Sequence, residues 1–300
     1  MVRGTLIRIA PASALAATGL AASAQAESTV TARGSVEQVY ATGLPPKAKA
    51  TLLNSKGKVI ATQLATAEGG VLFRGVLPGA GYRLKAGATS APVTVHDASN
   101  KPWDTSFYKQ PVPYDGYGYL TTRDGTQLAY TVHPPTVPAG LGTPDVTLPA
   151  GPPAFAPPYP TLIEYSGYGY ANPAGPESGI AVLANAMGFA VVDISMRGIA
   201  CSGGAFSFFD TLQSLDGYDI VETIAAQPWV KDHKVGMMGI SYGGISQLFT
   251  AATQPPSLAA ISPLSVIDAT PSTLYPGGIL NTGFAVPWAL ERQGDRKSVV

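Results

Sequence analysis

The chain has 300 residues, and its 19 basic and 19 acidic side chains give a formal net charge of zero. Charged residues make up 13% of the chain and form no basic stretch, which excludes a typical nucleic-acid-binding protein. Hydrophobic residues make up 45% of the chain, so the 34 glycines and 27 prolines indicate turns in a folded protein, not disorder. The length is sufficient for two domains.

The first 26 residues have the pattern of a signal peptide. Arg3 and Arg8 precede an apolar, alanine-rich run, and Ala24-Gln25-Ala26 is an A-x-A cleavage site. The run is short and rich in small residues, which disfavours a membrane-spanning helix. We expect cleavage after Ala26, a secreted mature protein, and no stable membrane anchor.

Residues 27–97 are predicted to form a small β-sandwich that serves as an accessory domain. Short apolar stretches alternate with turn signals, and no group of His, Cys, Asp or Glu has the spacing of a metal site. The predicted strands are Ser35–Ala41, Ala48–Leu53, Val59–Thr66, Val71–Phe73, Tyr82–Ala86 and Pro92–Val95. A polar linker, residues 98–116, follows.

Residues 117–300 are predicted to form an α/β domain. It opens with a hairpin, Tyr117–Arg123 and Thr126–Val132, around Asp124-Gly125, a dipeptide that favours a type I′ turn. A proline-rich surface loop from Pro134 to Pro160 comes next. Strands and helices then alternate, which is typical of a parallel sheet covered on both faces. The predicted strands are Pro160–Tyr165, Phe189–Ile194, Val235–Ile240 and Leu258–Leu264, and the predicted helices are Ile180–Met187, Thr211–Ala226 and Ile245–Thr253.

A G-x-S-x-G motif, Gly239-Ile240-Ser241-Tyr242-Gly243, lies between an apolar strand and a helix. This is the context of a nucleophile elbow, where a sharp turn needs small residues on both sides of the serine. Ser241 is therefore the candidate nucleophile. The backbone N–H of Tyr242, at the start of the helix, is a candidate donor to an oxyanion. Together with the hairpin, the elbow predicts an α/β-hydrolase fold preceded by a small all-β domain.

Several motifs, in one order, resemble those of the cocaine-esterase and X-prolyl dipeptidyl-peptidase (CocE/NonD) family of serine hydrolases. They are Thr122-Arg123-Asp124-Gly125, Met196-Arg197-Gly198 with Cys201-Ser202-Gly203-Gly204, Gln227-Pro228-Trp229, the elbow with its preceding strand, and Tyr275-Pro276-Gly277-Gly278.

The resemblance implies that Ser241 attacks an ester or amide carbonyl of a small-molecule or peptide substrate, without a cofactor or metal. It also implies that a tyrosine hydroxyl after the third strand is the second oxyanion donor, and the matching residue is Tyr168. We interpret Tyr165 and Tyr170 as packing residues and Cys201 as a small buried residue.

Two further interpretations concern charged residues. Asp193 and Arg197, at the C-terminal end of one strand, are interpreted as an internal pair that shapes a loop. Asp268 follows the next strand after the elbow and could serve as the acid of a triad.

The chain lacks the histidine that a serine hydrolase places after its nucleophile. Its three histidines are His96, His133 and His233, and His233 stands roughly 23 Å from the serine if the intervening strand is extended. We therefore expect the front part of a longer enzyme, without the last strands and the cap, and weak activity in the chain itself. Two alternatives stay open: a secreted binding protein with a degenerate hydrolase fold, and an acyltransferase on the same fold.

Overall fold

The computed structural model describes residues 30–136, 155–173, 178–267 and 269–294. The predicted signal peptide, most of the proline-rich loop and Asp268 lie outside these residues. Within them, no helix combines the length and the apolar character needed to cross a membrane.

Residues 32–95 form two antiparallel sheets that enclose one core. The strands are β1 (Ala32–Gly34), β2 (Gln38–Ala41), β3 (Lys49–Leu53), β4 (Val59–Leu64), β5 (Val71–Arg74), β6 (Gly79–Ala86), β7 (Ala88–Thr89) and β8 (Val93–Val95). The first sheet has the order β1-β2-β5, and the second has the order β4-β3-β6-β7, with β8 also paired to β6. Alternate side chains, including Val39 and Phe73 from the first sheet and Leu52 and Leu84 from the second, are buried between them.

The predicted linker packs against the α/β part of the chain. It contains a 3₁₀-helix, Ser106–Lys109. Beyond that helix, Val112 receives a hydrogen bond from the indole of Trp229 and donates one to the side chain of Gln227. His96, at the end of the β-domain, stacks on Trp103 with ring centroids 3.6 Å apart. These contacts fix the path of the chain between its two parts.

A mixed six-stranded sheet forms the second part. Its strands are β9 (Gly116–Thr121), β10 (Gln127–His133), β11 (Tyr159–Ser166), β12 (Ala190–Ser195), β13 (Val230–Ile240) and β14 (Leu258–Leu264). Its helices are α1 (Gly179–Ala186), α2 (Thr211–Ala225), α3 (Tyr242–Ala252), α4 (Thr270–Leu274) and α5 (Ala285–Gly294). The order is β14-β13-β11-β12-β10-β9. Strand β10 is antiparallel to both of its neighbours, whereas the four strands β11, β12, β13 and β14 are parallel to one another. This is the α/β-hydrolase order, so the predicted fold class is confirmed.

The alternation of side chains along the parallel strands builds two separate cores. Ile163 and Val192 face α2 in the larger core, whereas Leu162 and Val191 face α1 in a smaller one. Because α1 covers one face and α2 and α3 cover the other, the central strands β11 and β12 are buried on both sides, whereas the edge strand β14 has no buried residue. Because β11, β12 and β13 are parallel, their carboxyl-terminal ends lie at the same edge of the sheet, and the elbow follows β13 there.

The hairpin turn differs from the prediction. Gly125 has a positive φ of 80°, but Asp124 does not, and the N–H of Gly125 donates to the carbonyl of Thr122. Arg123 and Asp124 thus occupy the centre of the turn, with glycine after them. The expected type I′ turn is wrong because the Asp124 carboxylate accepts hydrogen bonds from the hydroxyl of Thr122 and the N–H of Thr126, which hold a longer loop.

Arg197 takes part in a buried ionic network, but its partner is not Asp193. The guanidinium contacts Asp216 at 2.6 Å and Asp124 at 3.2 Å, and Asp124 in turn accepts a hydrogen bond from Ser35 of the β-domain. Burial works against the charged form of Asp124. The guanidinium of Arg197 and the hydrogen bonds outweigh this effect and hold the pKa of Asp124 below its usual range. The expected Asp193–Arg197 pair is therefore wrong, and the network instead joins the β-domain to the loop after β12.

Candidate active site

Ser241 stands on a strained turn between β13 and α3, with φ 57° and ψ −118°. Such a backbone costs energy for a residue with a side chain, and this kind of strain is typical of functional serines. Gly239 has φ 148°, and a Cβ at that position would lie 2.8 Å from the carbonyl oxygen of Gly243. A Cβ on Gly244 would clash with the backbone of Leu264. Close backbone approach thus requires glycine at Gly239 and at Gly244, whereas a Cβ on Gly243 would make only ordinary contacts.

Tyr242 follows the serine as the first residue of α3. Its backbone N–H belongs to the first helical turn, whose N–H groups have no acceptor inside the helix. Its side chain is buried, and its hydroxyl donates to Gln213 at 3.0 Å. Burial raises the pKa of that hydroxyl. The side chain therefore anchors the elbow, while the main-chain N–H is available to an oxyanion at Ser241.

Tyr168 lies in the loop after β11, and its hydroxyl is 2.8 Å from Oγ of Ser241. Its backbone N–H donates to Oγ of Ser166, and its ring packs edge-on against Tyr242 at 6.2 Å between centroids. The guanidinium of Arg292, on α5, lies 5.7 Å from the centre of the Tyr168 ring. These contacts orient the phenol toward the serine from three sides.

The two neighbouring tyrosines have surroundings that fit packing roles. Tyr165 is fully buried, and its hydroxyl donates to the carbonyl of Gln213 at 3.2 Å. Tyr170 is half-buried, with its ring 6.1 Å from that of Tyr168. Burial raises the pKa of both hydroxyls.

A cavity of about 300 Å³ opens beside Ser241. Its walls come from the loop after β12, the elbow helix, and the segment from β14 to α5. The main apolar residues around it are Phe208, Phe209, Ile245, Leu274, Phe284 and Trp288. None of the described residues that line it carries a formal charge, so this space suits an apolar group next to the serine.

Two of the three histidines lie at the end of the sheet away from the serine. His133 ends β10 opposite Val191, near the start of β12, and His233 lies near the start of β13. Ser241 follows the far end of β13. His96 bridges to Val36 in the β-domain. His133 and His233 therefore lie too far along the sheet to contact Ser241.

Cys201 corrects another expectation, because its side chain is exposed rather than buried. It lies in a turn after β12. Within the described part of the chain, no group of three or more His, Cys, Asp or Glu side chains is arranged to hold a metal ion.

Comparison with known protein families identifies the family of the chain. The family model described as X-Pro dipeptidyl-peptidase (S15 family) matches residues 143–298, which is more than half of the chain. The chain belongs to the S15 family. The match spans β11, the elbow and α5, and it confirms the resemblance inferred from the motifs. A search of curated proteins found no match.

Several solved structures are similar to this S15 family chain. A CocE/NonD family hydrolase from Staphylococcus aureus has 23% identity and a TM-score of 0.48 over 62% of this chain and 34% of its own. An aminopeptidase from a marine sediment Thaumarchaeota archaeon has 17% identity and a TM-score of 0.45 over 66% and 34%. An alpha-amino acid ester hydrolase has 20% identity and a TM-score of 0.36 over 56% and 29%. The chain thus spans about a third of the length of these proteins.

Two features of the site were not predicted from the sequence. The aromatic wall formed by Phe208, Phe209 and Trp288 comes from segments about 80 residues apart, so no local pattern joins them. Glu164, in the otherwise uncharged strand β11, is buried beneath the elbow. A single acidic residue inside an uncharged strand was the available signal, since a carboxylate is rarely buried there without a function or a partner.

Proposed function

We propose that this protein is a secreted serine hydrolase of esters or amides, including acyl or X-Pro dipeptidyl substrates, with Ser241 as nucleophile. The observation that carries the proposal is the 2.8 Å contact between the Tyr168 hydroxyl and Oγ of Ser241 at a strained elbow. Membership of a hydrolase family supports it. The signal-peptide pattern of residues 1–26 supports secretion.

In the proposed reaction, Oγ of Ser241 attacks the carbonyl carbon and loses its proton to a base. The carbonyl oxygen becomes an oxyanion that accepts hydrogen bonds from the N–H of Tyr242 and the hydroxyl of Tyr168. The tetrahedral intermediate then expels the alcohol or amine, which takes up a proton, and an acyl-serine remains. Water hydrolyses that ester with help from the same base. The apolar cavity beside Ser241 holds an uncharged part of the substrate.

His133 and His233 lie at the far end of the sheet from Ser241, and His96 belongs to the β-domain. We therefore expect the chain itself to turn over activated esters slowly, since an oxyanion hole without its triad retains only about 10³–10⁴-fold of rate over water. An acyl-serine formed under these conditions persists, because its hydrolysis needs the same base.

The test uses this persistence. The full chain is incubated with p-nitrophenyl acetate, with and without free imidazole as an external base, and the acetylated residue is mapped by mass spectrometry. We expect acetylation of Ser241 that imidazole accelerates and that Ser241→Ala abolishes. A folded protein whose Ser241 stays unmodified in imidazole would contradict the proposal and favour the alternative of a binding protein on this fold.

A further inference from the structure

A row of polar side chains crosses three adjacent strands on the face covered by α1. Thr131 on β10, Asp193 on β12 and Glu164 on β11 are paired in register, so their side chains lie on the same face of the sheet. Neighbouring strands are about 4.8 Å apart. Asp193 is 0% exposed and Glu164 is 1% exposed. Two carboxyl groups are therefore buried side by side.

Each carboxyl group has one oxygen with a hydrogen-bond partner and one without. Oε2 of Glu164 accepts from the hydroxyl of Ser178, and Oδ2 of Asp193 lies 3.1 Å from Nε2 of His133. Oε1 of Glu164 and Oδ1 of Asp193 are buried without a hydrogen-bond partner in the part of the chain that the structure describes. An unpartnered, ionised oxygen is costly in such a place, so the arrangement favours a neutral carboxyl group at one of the two positions.

The surroundings of Glu164 place the proton on that residue. Burial, with a smaller contribution from the charge of Asp193, raises the pKa of Glu164 to about 7, although the hydrogen bond from Ser178 works against this. Oδ2 of Asp193, in contrast, lies beside Nε2 of His133. Tyr170 also faces Glu164. Among the residues that the structure describes on the remaining sides, β13 presents Met238 and α3 presents Gly243, neither of which carries charge.

Glu164 contacts both elements that build the oxyanion site. Ser178, its partner, is the N-cap residue of α1 and ends the loop that carries Tyr168. Oε1 lies 3.6 Å from the position that a Cβ on Gly243 would occupy, beside the first turn of α3. A negative charge there would sit behind the N–H groups that receive the oxyanion at Ser241. Like charges in a water-poor interior repel strongly, so such a charge would oppose the formation of the oxyanion.

We propose that Glu164 is a positioning residue that acts in its protonated form. It ties the end of the Tyr168 loop to the sheet through Ser178 and keeps the space behind the elbow neutral. This inference rests on the proposed function of Ser241. It predicts that loss of the Glu164 proton slows the attack by Ser241.

The first experiment is a pH profile of Ser241 acetylation by p-nitrophenyl acetate, followed by mass spectrometry. The concentration of neutral imidazole is kept constant at every pH, so that the external base does not titrate. We expect the wild-type rate to fall above about pH 7, by at least about tenfold at roughly pH 9, and the rate of Glu164→Gln to stay level. Glu68→Gln, an exposed position in the β-domain, should follow the wild type.

A second variant keeps the test valid if Glu164→Gln folds poorly in thermal unfolding. Ser178→Ala removes the hydrogen bond that works against the raised pKa of Glu164, so the fall in rate should move to higher pH. Identical profiles for wild type, Ser178→Ala and Glu164→Gln would overturn the inference.

Infrared spectroscopy separates this inference from the proposed function. At about pH 6 a protonated carboxyl band should be present in the wild type and in Ser241→Ala, and it should lose intensity in Glu164→Gln. If Ser241 is not acetylated at any pH, the proposed function fails, while the band still reports the proton on Glu164. A protonated carboxyl band of unchanged intensity in folded Glu164→Gln would show that Glu164 is ionised and would overturn the inference.

Discussion

Replacing Tyr168 by phenylalanine removes one hydroxyl from the candidate oxyanion site and leaves the ring. The hydroxyl lies 2.8 Å from Oγ of Ser241, whereas the ring makes the contacts with Tyr242 and Arg292. Loss of one oxyanion donor costs about 10²–10³ in rate, or roughly 2.7–4 kcal/mol of transition-state stabilisation. The free energy of unfolding should change by no more than about 1 kcal/mol, the net value of one hydrogen bond.

The assay for Tyr168→Phe is the imidazole-assisted acetylation of Ser241, combined with urea unfolding. Tyr170→Phe is the matched control, because Tyr170 is half-buried on the same loop and its ring packs 6.1 Å from that of Tyr168. We expect a loss of about 100-fold in Tyr168→Phe and a rate close to wild type in Tyr170→Phe. Equal rates in all three proteins would refute the role assigned to the Tyr168 hydroxyl.

Three further predictions concern stability, and urea unfolding measures each of them. Gly239→Ala should destabilise the protein by several kcal/mol because its Cβ would meet backbone, whereas Gly179→Ala, with nothing within 4 Å of the new Cβ, should be neutral or slightly stabilising. Asp124→Asn should cost about 3–5 kcal/mol at neutral pH because it leaves Arg197 without one buried partner, and the difference should shrink below about pH 4, where unfolded aspartate is protonated. The pKa of Glu164 is about 7 in the folded protein and 4.5 in its ordinary state. The free energy of unfolding should therefore fall by on the order of 3 kcal/mol as the pH rises from one value to the other, and Glu164→Gln should remove this dependence. Unchanged stability in Gly239→Ala or Asp124→Asn, or the same pH dependence in wild type and Glu164→Gln, would contradict the respective argument.

Local patterns in the sequence were enough to predict most of the elements. Strand β14 has the predicted bounds, Leu258–Leu264, because its apolar run lies between clear turn signals. β13 begins at Val230, five residues before the predicted start. Asp232 and His233 interrupt its apolar run, and both have positive φ, which marks an irregularity in the strand. A prediction from the pattern of apolar residues along the strand therefore leaves Asp232 and His233 out.

The errors at the level of contacts have a common cause. The partner of Arg197 and the exposure of Cys201 depend on which segments of the chain meet after folding. The local sequence pattern does not show which segments these are. Asp193, four residues before Arg197, turned out to contact His133 on a neighbouring strand. The elbow is different, because its glycines, its serine and its helix are contiguous in the chain. Local steric constraints therefore made Ser241 identifiable, whereas Glu164 required the three-dimensional arrangement.

The most direct measurement is a crystal structure of the full chain after reaction with an alkyl phosphonate ester, with imidazole as external base. We predict a covalent bond between phosphorus and Oγ of Ser241. The phosphoryl oxygen should lie about 2.7–3.1 Å from both the N–H of Tyr242 and the hydroxyl of Tyr168, with the alkyl group in the apolar cavity. An adduct on another residue, or a phosphoryl oxygen that contacts neither donor, would contradict the assignment of this site.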